Sequence, residues 1–351
     1  MSSMHYDKSE SPVAQSVPPW FSELMGMSLA EGALCERNGR RFVVKDGVLR
    51  GESLLSPGQA QTADTFGFKW NKRDTFEGPK QLRRMREWLV ERYGDIGGET
   101  WFKEYGQSPL VLDAGCGGAM SAIELFGPAL AHIRYVGTDV STAVDVARCR
   151  FAERGLSAGF LQSDLMTLPF PPGTFDMIFS EGVLHHTDST ERALKTLAPL
   201  LRPGGRFLFY VYRRKGPLRE FTDDYVRDRL QTMSPQQAWE AMIPLTKLGE
   251  MLGQLDIEID IPESIDLLKI PAGRINLQRF FYWHVCKAFY RPELSLEEMN
   301  HINYDWYAPR NAHRQTEEQV RRWCAEAGLT VDRERIEESG ITVVARRERL
   351  G

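Results

Sequence analysis

The stretch Val111-Leu112-Asp113-Ala114-Gly115-Cys116-Gly117-Gly118 gives the strongest indication of how this chain folds. Its apolar start predicts a short buried strand over residues 110–113, and a helix is predicted over residues 120–126 after the glycine-rich turn. Glycine lets the backbone adopt positive φ and lets a ligand lie directly against the main chain. Amides at the start of the next helix can hold an anion. The stretch therefore predicts a ligand-binding turn with an acid, Asp113, at the end of its strand.

The order of the acid and the glycines separates two kinds of nucleotide site. A dinucleotide fingerprint reads Gly-x-Gly-x-x-Gly, but here Met120 occupies the position of the third glycine. Asp113 stands two residues before the first glycine. This Asp-x-Gly-x-Gly order resembles the S-adenosylmethionine loop of class I methyltransferases. The resemblance implies that Asp113 lies near the methionine ammonium of the cofactor, S-adenosyl-L-methionine.

Two later strands are also predicted to end in acids. Residues 135–141 form a predicted strand with Asp139 near its end, and an acid at that place in a Rossmann unit can accept both ribose hydroxyls. Residues 159–165 form a third predicted strand, in which Asp164 could accept from the adenine amino group. The positions that the resemblance assigns to the cofactor are Trp70, Asp113, Gly115, Gly117, Asp139, Val140, Asp164, Leu165 and Ser180.

Plainer interpretations of these acids stay open. Asp113 could cap the following helix, although a cap does not require a pair of glycines. Asp139 could be the N-cap of a helix over residues 142–153, but Ser141 already supplies a favoured cap residue. Asp164 could lie in a surface loop, where an acid costs little. Cofactor contact is the favoured interpretation for all three.

The remaining strands complete the expected sheet. Residues 175–180 are nearly all apolar, as in a strand buried on both faces, and an Arg-Pro-Gly-Gly turn leads into a fifth strand over residues 206–212. The capping box Thr316-Glu317-Glu318-Gln319 opens a helix, and a last strand pair follows at 330–336 and 340–346. The sequence thus predicts an α/β fold with a seven-stranded, doubly wound, mostly parallel sheet, as the class I methyltransferase resemblance implies.

Four regions are predicted along the chain. They are a partly ordered tail (1–30), a small ribbon-like accessory segment (31–78), the methyltransferase domain (79–212 and 313–351) and a helical lid insertion (213–312). An insertion after the fifth strand sits above the carboxyl ends of the strands, where ligands bind, so it is expected to cover the substrate. Its helices are predicted at 220–233, 235–255, 273–290 and 296–300.

Two aromatic stretches have alternative interpretations. Residues 65–71 include Trp70, which could shield the sulfonium or only pack the accessory segment on the main domain. Residues 303–313 combine aromatic rings, an acid and amides in a predicted loop, which suits a pocket wall or a packed hinge. Aromatic faces stabilise a sulfonium by about 0.5–2 kcal/mol. The accessory segment resembles ribbon modules that often bind zinc through cysteine pairs, but only Cys35 remains there, so no metal site is predicted.

A general base is required only if the methyl acceptor carries a proton. His185 and His186 follow the fourth strand, facing the expected methyl position, and histidine is suited to this role near neutral pH. His185 is the first choice, His186 the second, and Glu181 is a further candidate. Lower-ranked residues are Tyr210, Tyr212, Tyr304 and His313.

Composition narrows the possible partners. The net charge of −4 disfavours a nucleic-acid coat, and an Asn/Asp-Pro-Pro-aromatic signature is missing after the fourth strand. Five scattered cysteines predict reduced thiols in a cytoplasmic protein. No apolar run approaches the ~18 residues of a membrane helix. The aromatic-rich insertion could serve as a homodimer surface.

The sequence therefore predicts an S-adenosylmethionine-dependent methyltransferase acting on an O, N, S or C atom of a small molecule. A catalytically inactive S-adenosylmethionine-binding scaffold or regulatory protein is the alternative of a different class. A nicotinamide oxidoreductase is disfavoured by Met120.

Overall fold

The computed structural model describes residues 17–52, 54–72 and 77–348. The strands are β1 (Leu34–Arg37), β2 (Arg40–Lys45), β3 (Val48–Gly51), β4 (Leu110–Ala114), β5 (Arg134–Asp139), β6 (Ala158–Gln162), β7 (Phe175–Glu181), β8 (Leu201–Tyr212), β9 (Glu258–Ile261), β10 (Gly273–Asn276), β11 (Leu329–Ile336) and β12 (Gly340–Arg347). The α-helices are α1 (Pro19–Met25), α2 (Pro57–Asn71), α3 (Pro79–Tyr93), α4 (Thr100–Lys103), α5 (Met120–Phe126), α6 (Ala143–Glu153), α7 (Thr190–Leu197), α8 (Pro217–Leu230), α9 (Pro235–Leu255), α10 (Leu277–Phe280), α11 (Leu296–Tyr307) and α12 (Glu317–Glu326).

One ten-stranded sheet organises the molecule, in the order β1-β2-β3-β6-β5-β4-β7-β8-β12-β11. The strands from β3 to β8 pair in parallel, and antiparallel pairs close both edges. All five residues of β4 are buried, because helices cover both faces of the parallel region. The chain runs outward from β4 to β5 on one side and to β7 on the other. This reversal makes the carboxyl end of β4 the expected ligand crevice.

The predicted α/β class is confirmed, but the prediction of seven strands is wrong for the sheet as a whole. Three further strands from the accessory segment extend it, because β3 pairs in parallel with β6, with Leu49 opposite Leu161. This pairing satisfies backbone groups that an edge strand would leave unpaired. In the predicted tail, α1 buries Phe21 and Met25, whereas residues 1–16 lie outside the described part.

The insertion is less helical than predicted. The helix predicted at 273–290 is wrong, since β10 pairs with β9 and only α10 and a turn of π-helix, Phe281–Val285, follow. The loop predicted at 303–313 is also wrong in its first half, because α11 continues to Tyr307. The part of α11 beyond the predicted end is packed in the interior, because Asn303, Tyr304 and Tyr307 are all buried. Within the described ranges, the structure contains no helix with the length and apolarity to cross a membrane.

Candidate functional site

A cavity of about 520 Å³ opens at the carboxyl ends of β4, β5 and β7. The glycine turn after β4 forms one end of it. Helices α2 and α3 and the insertion form the other, so two chemically different walls share one space. Of the predicted site residues, those that line it are Trp70, Asp113, Gly115, Gly117, Asp139, Val140, Asp164, Leu165, Glu181, His186, Tyr210 and Tyr212.

Two residues of the glycine turn, Gly115 and Gly117, have a left-handed backbone conformation and lie very close to neighbouring side chains. Gly115 has a φ of +84°, and a Cβ there would lie 2.2 Å from the Val183 side chain. Gly117 has a φ of +51°, and its Cβ would lie 2.6 Å from the Trp70 indole nitrogen. Both conditions favour glycine. Bare main chain is therefore exposed to the cavity, with Trp70 packed over it.

Asp139 ties the end of β5 to this turn. Its Oδ2 accepts from the amide of Gly117 at 2.8 Å, and its Oδ1 accepts from the amide and hydroxyl of Ser141 at 2.8 and 2.6 Å. Burial raises the pKa of Asp139, and these hydrogen bonds oppose the rise. A carboxylate has about four lone-pair positions, so it retains capacity for a ligand hydroxyl.

Asp113 is buried at the end of β4, and only its Oδ2 accepts a hydrogen bond from the described residues, from the Tyr135 hydroxyl. Burial raises the pKa of Asp113 to about 7, the Tyr135 hydrogen bond opposes the rise, and the nearby Asp139 and Glu181 add to it. A ligand cation beside Oδ1 would favour the ionised form. This carboxyl therefore fits the ammonium of S-adenosylmethionine.

Asp164 follows β6 in the chain and also lines the cavity. Its Oδ1 accepts from the Met166 amide at 3.0 Å and caps a short 3₁₀ turn. This capping role was not predicted from the sequence, and the half-buried Asp164 also takes part in the cavity wall. The two are compatible, because the same carboxylate has a second oxygen.

The two adjacent histidines have different environments. His185 is fully buried and does not line the cavity, and its ring stacks on Tyr212 with centroids 3.7 Å apart. His186 lines the cavity, and its Nδ1 lies 2.5 Å from the Asn311 carbonyl oxygen. Because a carbonyl only accepts, Nδ1 carries the proton and Nε2 has the lone pair. The geometry reverses the order expected from the sequence.

Burial lowers the pKa of His186 to about 4, although Asp305 opposes the shift. The ring is therefore neutral at pH 7, and its Nε2 forms no hydrogen bond with a described residue. Glu181 also lines the cavity, but its carboxylate accepts from Arg92 at 3.1 Å and from the Tyr93 hydroxyl. His186 is consequently the less engaged of the two proton acceptors.

Besides His185, three predicted site residues do not line the cavity. The Ser180 hydroxyl donates to the Ala114 carbonyl at 2.8 Å inside the sheet. Tyr304 is buried against Phe68 and Trp239. His313 lies on an exposed turn, where its amide donates to the His185 carbonyl. Tyr304 and His313 were selected from the predicted pocket wall at 303–313, and Ser180 among the cofactor residues, but none of the three lines the cavity.

Sequence reasoning missed Lys69 and Lys287 at the second wall, whereas the basic run Arg213-Arg214-Lys215 with Arg219 was interpreted either as an attraction for a substrate carboxylate or phosphate or as a solvated charge run. The Lys69 ammonium donates to Asp305, a contact between α2 and α11. Lys215, Arg219 and Lys287 line the same region. The stretch at 303–313 was selected as a pocket wall, and its Asp305 and Trp306 do line the cavity. Lys69 and Lys287 carried no motif, since they come from separate segments.

Residues 112–209 match the family model described as "Methyltransferase domain". An uncharacterized methyltransferase of Mycobacterium tuberculosis is 37% identical over 102 residues, which cover 27% of this chain and 46% of that protein. A human protein named "Probable tRNA methyltransferase 9B" is 30% identical over 153 residues, covering 40% of this chain and 31% of that one.

Among solved structures, 1,6-didemethyltoxoflavin-N1-methyltransferase of Burkholderia thailandensis, with bound S-adenosylhomocysteine, is similar with a TM-score of 0.44 and 16% identity. The match covers 91% of this chain and all of that one. The chain spans 26%, 54% and 46% of the length of the first three curated relatives. Residues 112–209 therefore form a methyltransferase domain, and the predicted resemblance to methyltransferases is confirmed over that part of the chain.

Proposed function

We propose that this protein transfers the methyl group of S-adenosylmethionine to a small molecule held beneath the insertion. The observation that carries the proposal is the continuity of the cavity, which runs from the glycine turn to the aromatic and cationic wall of the insertion. Donor and acceptor would meet within one enclosed space. Holding two reactants in line supplies much of the rate of such a displacement.

The residues at the glycine turn fit the cofactor. Asp113 would accept from its ammonium, Asp139 from the ribose hydroxyls and Asp164 from the adenine amino group, while the backbone between Gly115 and Gly117 leaves room for it. When bound, the cofactor supplies a methyl group on a sulfonium. Trp70, whose ring packs against Gly117, would exclude water from the transferred methyl group.

His186 is the proposed base for an acceptor that carries a proton. Its Nδ1 proton is fixed on the Asn311 carbonyl, so Nε2 is the atom that would take the acceptor's proton. The nearby Asp305 would stabilise the positive charge of the imidazolium that then forms. Glu181 would instead hold Arg92 and Tyr93 in place at the same end of the sheet.

A small molecule suits the cavity better than a nucleic acid. A volume of about 520 Å³ falls within the roughly 300–1,000 Å³ of small-molecule sites. The chain's net charge is −4, whereas nucleic-acid binding relies on clustered positive charge. The human relative's name refers to tRNA, which makes tRNA the proper competing substrate to test.

The experiment combines binding with transfer. Calorimetry with S-adenosylmethionine, S-adenosylhomocysteine and NAD tests the cofactor, and heat with NAD alone would contradict the proposal. Transfer of labelled methyl is then measured against a small-molecule collection and, separately, against bulk tRNA. Label in small molecules supports the proposal. Label in tRNA alone would replace it, and binding without any transfer would favour the scaffold alternative.

A further inference from the structure

Three cationic side chains surround one buried indole in the acceptor half of the cavity. The ammonium of Lys287 lies 4.7 Å from the Trp306 ring centroid, the guanidinium of Arg219 lies 5.4 Å from it, and the ammonium of Lys215 lies 5.7 Å from it. All four residues line the cavity. The ring face partly stabilises such charges, but a ring cannot neutralise them.

The cations differ in their partners. Arg219 donates through Nε to both oxygens of Asp223 at 2.8 Å, which neutralises it. The Lys215 ammonium donates to backbone carbonyls, including those of Arg213 at 2.9 Å and Ser339 at 3.1 Å, rather than to a carboxylate.

Lys287 is the least compensated cation. Its side chain forms no ion pair within 4.0 Å among the described residues, because the nearby Asp305 is already paired with Lys69. Only 7% of Lys287 is exposed. An ammonium so deeply buried is costly unless something anionic accompanies it. In the part of the chain that the structure describes, no carboxylate therefore pairs directly with this ammonium.

The titration behaviour agrees with this geometry. Burial lowers the pKa of Lys287 to about 8, and the pKa of Lys215 to about 7. Around Lys287, Asp305 and Asp223 oppose the shift, while Arg219 and Lys69 add to it. A bound anion would raise both values again, so binding of an acid would draw protons from solution.

The rest of this wall is aromatic. Tyr212, whose ring lies tilted against Trp306 with centroids 4.3 Å apart, continues it, and the further rings that line the cavity include Phe66, Trp88, Tyr210, Tyr282, Trp283 and Phe289. Flat apolar surfaces of this kind favour a planar ring, which packs by stacking or edge contacts. The wall thus provides both aromatic surfaces that can pack against a planar ring and a positive charge that can pair with a carboxylate.

We infer that the methyl acceptor is a planar aromatic carboxylic acid whose carboxylate pairs with Lys287 in the space beside Trp306. This inference rests on the proposed function and names the substrate class of the same cavity. Lys287 is a binding residue here, and Lys215 adds positive potential to the same wall.

The test uses protein saturated with S-adenosylhomocysteine and matched probes that differ only in charge. The pairs are 2-hydroxybenzoate with 2-hydroxybenzamide, and indole-3-acetate with indole-3-acetamide, titrated by calorimetry at pH 7. At least one acid is expected to bind about tenfold or more tighter than its amide. If no acid binds better than its amide, the inference is overturned.

Variants locate the preference. Lys287→Met should reduce the acid-to-amide ratio to about twofold or less, and Lys287→Arg should keep most of it. Lys247→Met, at an exposed position of α9, is the matched control and should behave as the wild type. An undiminished ratio in Lys287→Met would overturn the assignment.

Proton uptake gives a second measurement on the wild type, should Lys287→Met fail to fold. At pH 8, acid binding measured in two buffers of different ionisation enthalpy should show net proton uptake, and amide binding should show none. Acid binding without uptake would contradict a role for Lys287. Loss of S-adenosylhomocysteine binding would refute the proposed function instead, so the two failures are distinguishable.

Discussion

The two ends of the cavity are built in opposite ways. At the cofactor end, Asp113, Asp139 and Asp164 follow three neighbouring parallel strands, within about fifty residues of chain. At the acceptor end, Lys69 of α2 meets Asp305 of α11 across 236 positions. The first end is specified by where strands stop, because parallel strands bring their carboxyl ends together. The second exists only once the helices of the insertion have packed.

The two ends also differ in charge. Burial raises the pKa of the acids Asp113 and Asp139, and it lowers the pKa of Lys215 and Lys287. At each end, burial makes the charged form of these side chains less favourable, and a ligand of opposite charge would offset that free-energy cost. A cationic cofactor and an anionic acceptor are the complementary pair. Four predictions test this comparison.

The largest effect is expected on the structural support of the acceptor end. Asp223→Ala should lower the free energy of unfolding by about 3–5 kcal/mol, because it leaves Arg219 buried without its partner. Asp223 also accepts from the Trp306 indole at 2.8 Å and the Tyr307 hydroxyl at 2.7 Å. Urea denaturation measures the change.

The control for that variant is Asp228→Ala, an exposed acid on the same helix, for which about 0.5 kcal/mol or less is expected. If the two variants were equally stable, the acceptor wall would not depend on its buried ion pair, and the contrast between the ends would be weaker than described.

The next effect concerns catalysis where the two ends meet. His186→Ala should lower kcat by about 10²-fold or more if His186 takes the acceptor's proton, with S-adenosylhomocysteine affinity unchanged. Since its pKa is about 4, the wild-type kcat should show no step near pH 6.5. His185→Ala should act mainly on stability, because that ring is sealed against Tyr212. An equal loss of kcat in both variants would remove the distinction between them.

At the cofactor end, Asp139→Ala should weaken cofactor binding by about 1–3 kcal/mol, because the ribose hydroxyls lose a buried acceptor. The variant also releases the Gly117 amide, which shapes the turn. Calorimetry with S-adenosylhomocysteine gives the value. Unchanged affinity would mean that the end of β5 does not contact the ribose.

The smallest expected effect is a pH dependence of cofactor affinity. Asp113 has a pKa of about 7 in the free protein, and only its ionised form attracts an ammonium. Affinity should therefore be full above pH 7 and fall as pH drops, by about tenfold per unit well below the pKa, or ~1.4 kcal/mol. Asp113→Asn should bind more weakly and lose this dependence between pH 6 and 7.5. A wild-type affinity that stays constant over this range would contradict the assignment.

Local features of the chain were predictable to within a few residues. The predicted helices 120–126 and 235–255 coincide with α5 and α9, and the capping box at Thr316 is formed. These elements depend on caps, glycines and apolar periodicity, which act over a few positions. The accessory strands were predicted as a separate ribbon, because nothing in their sequence indicates that β3 pairs with β6.

The choice between the two histidines shows the same limit. His185 and His186 are adjacent and chemically identical, so sequence cannot say which ring enters the cavity. The Asn311 carbonyl and the Tyr212 ring make that choice, and both come from other parts of the fold.

By itself, the sequence determined the parallel core, the glycine turn and the acids at the ends of three strands, because strand alternation, positive φ and strand termini are local properties of the chain. Only the tertiary structure determined which histidine lines the cavity, that the sheet has ten strands, and that Lys287 lies near Trp306 without a carboxylate partner among the described residues. Those features arise from packing between distant segments, where burial sets the charge balance.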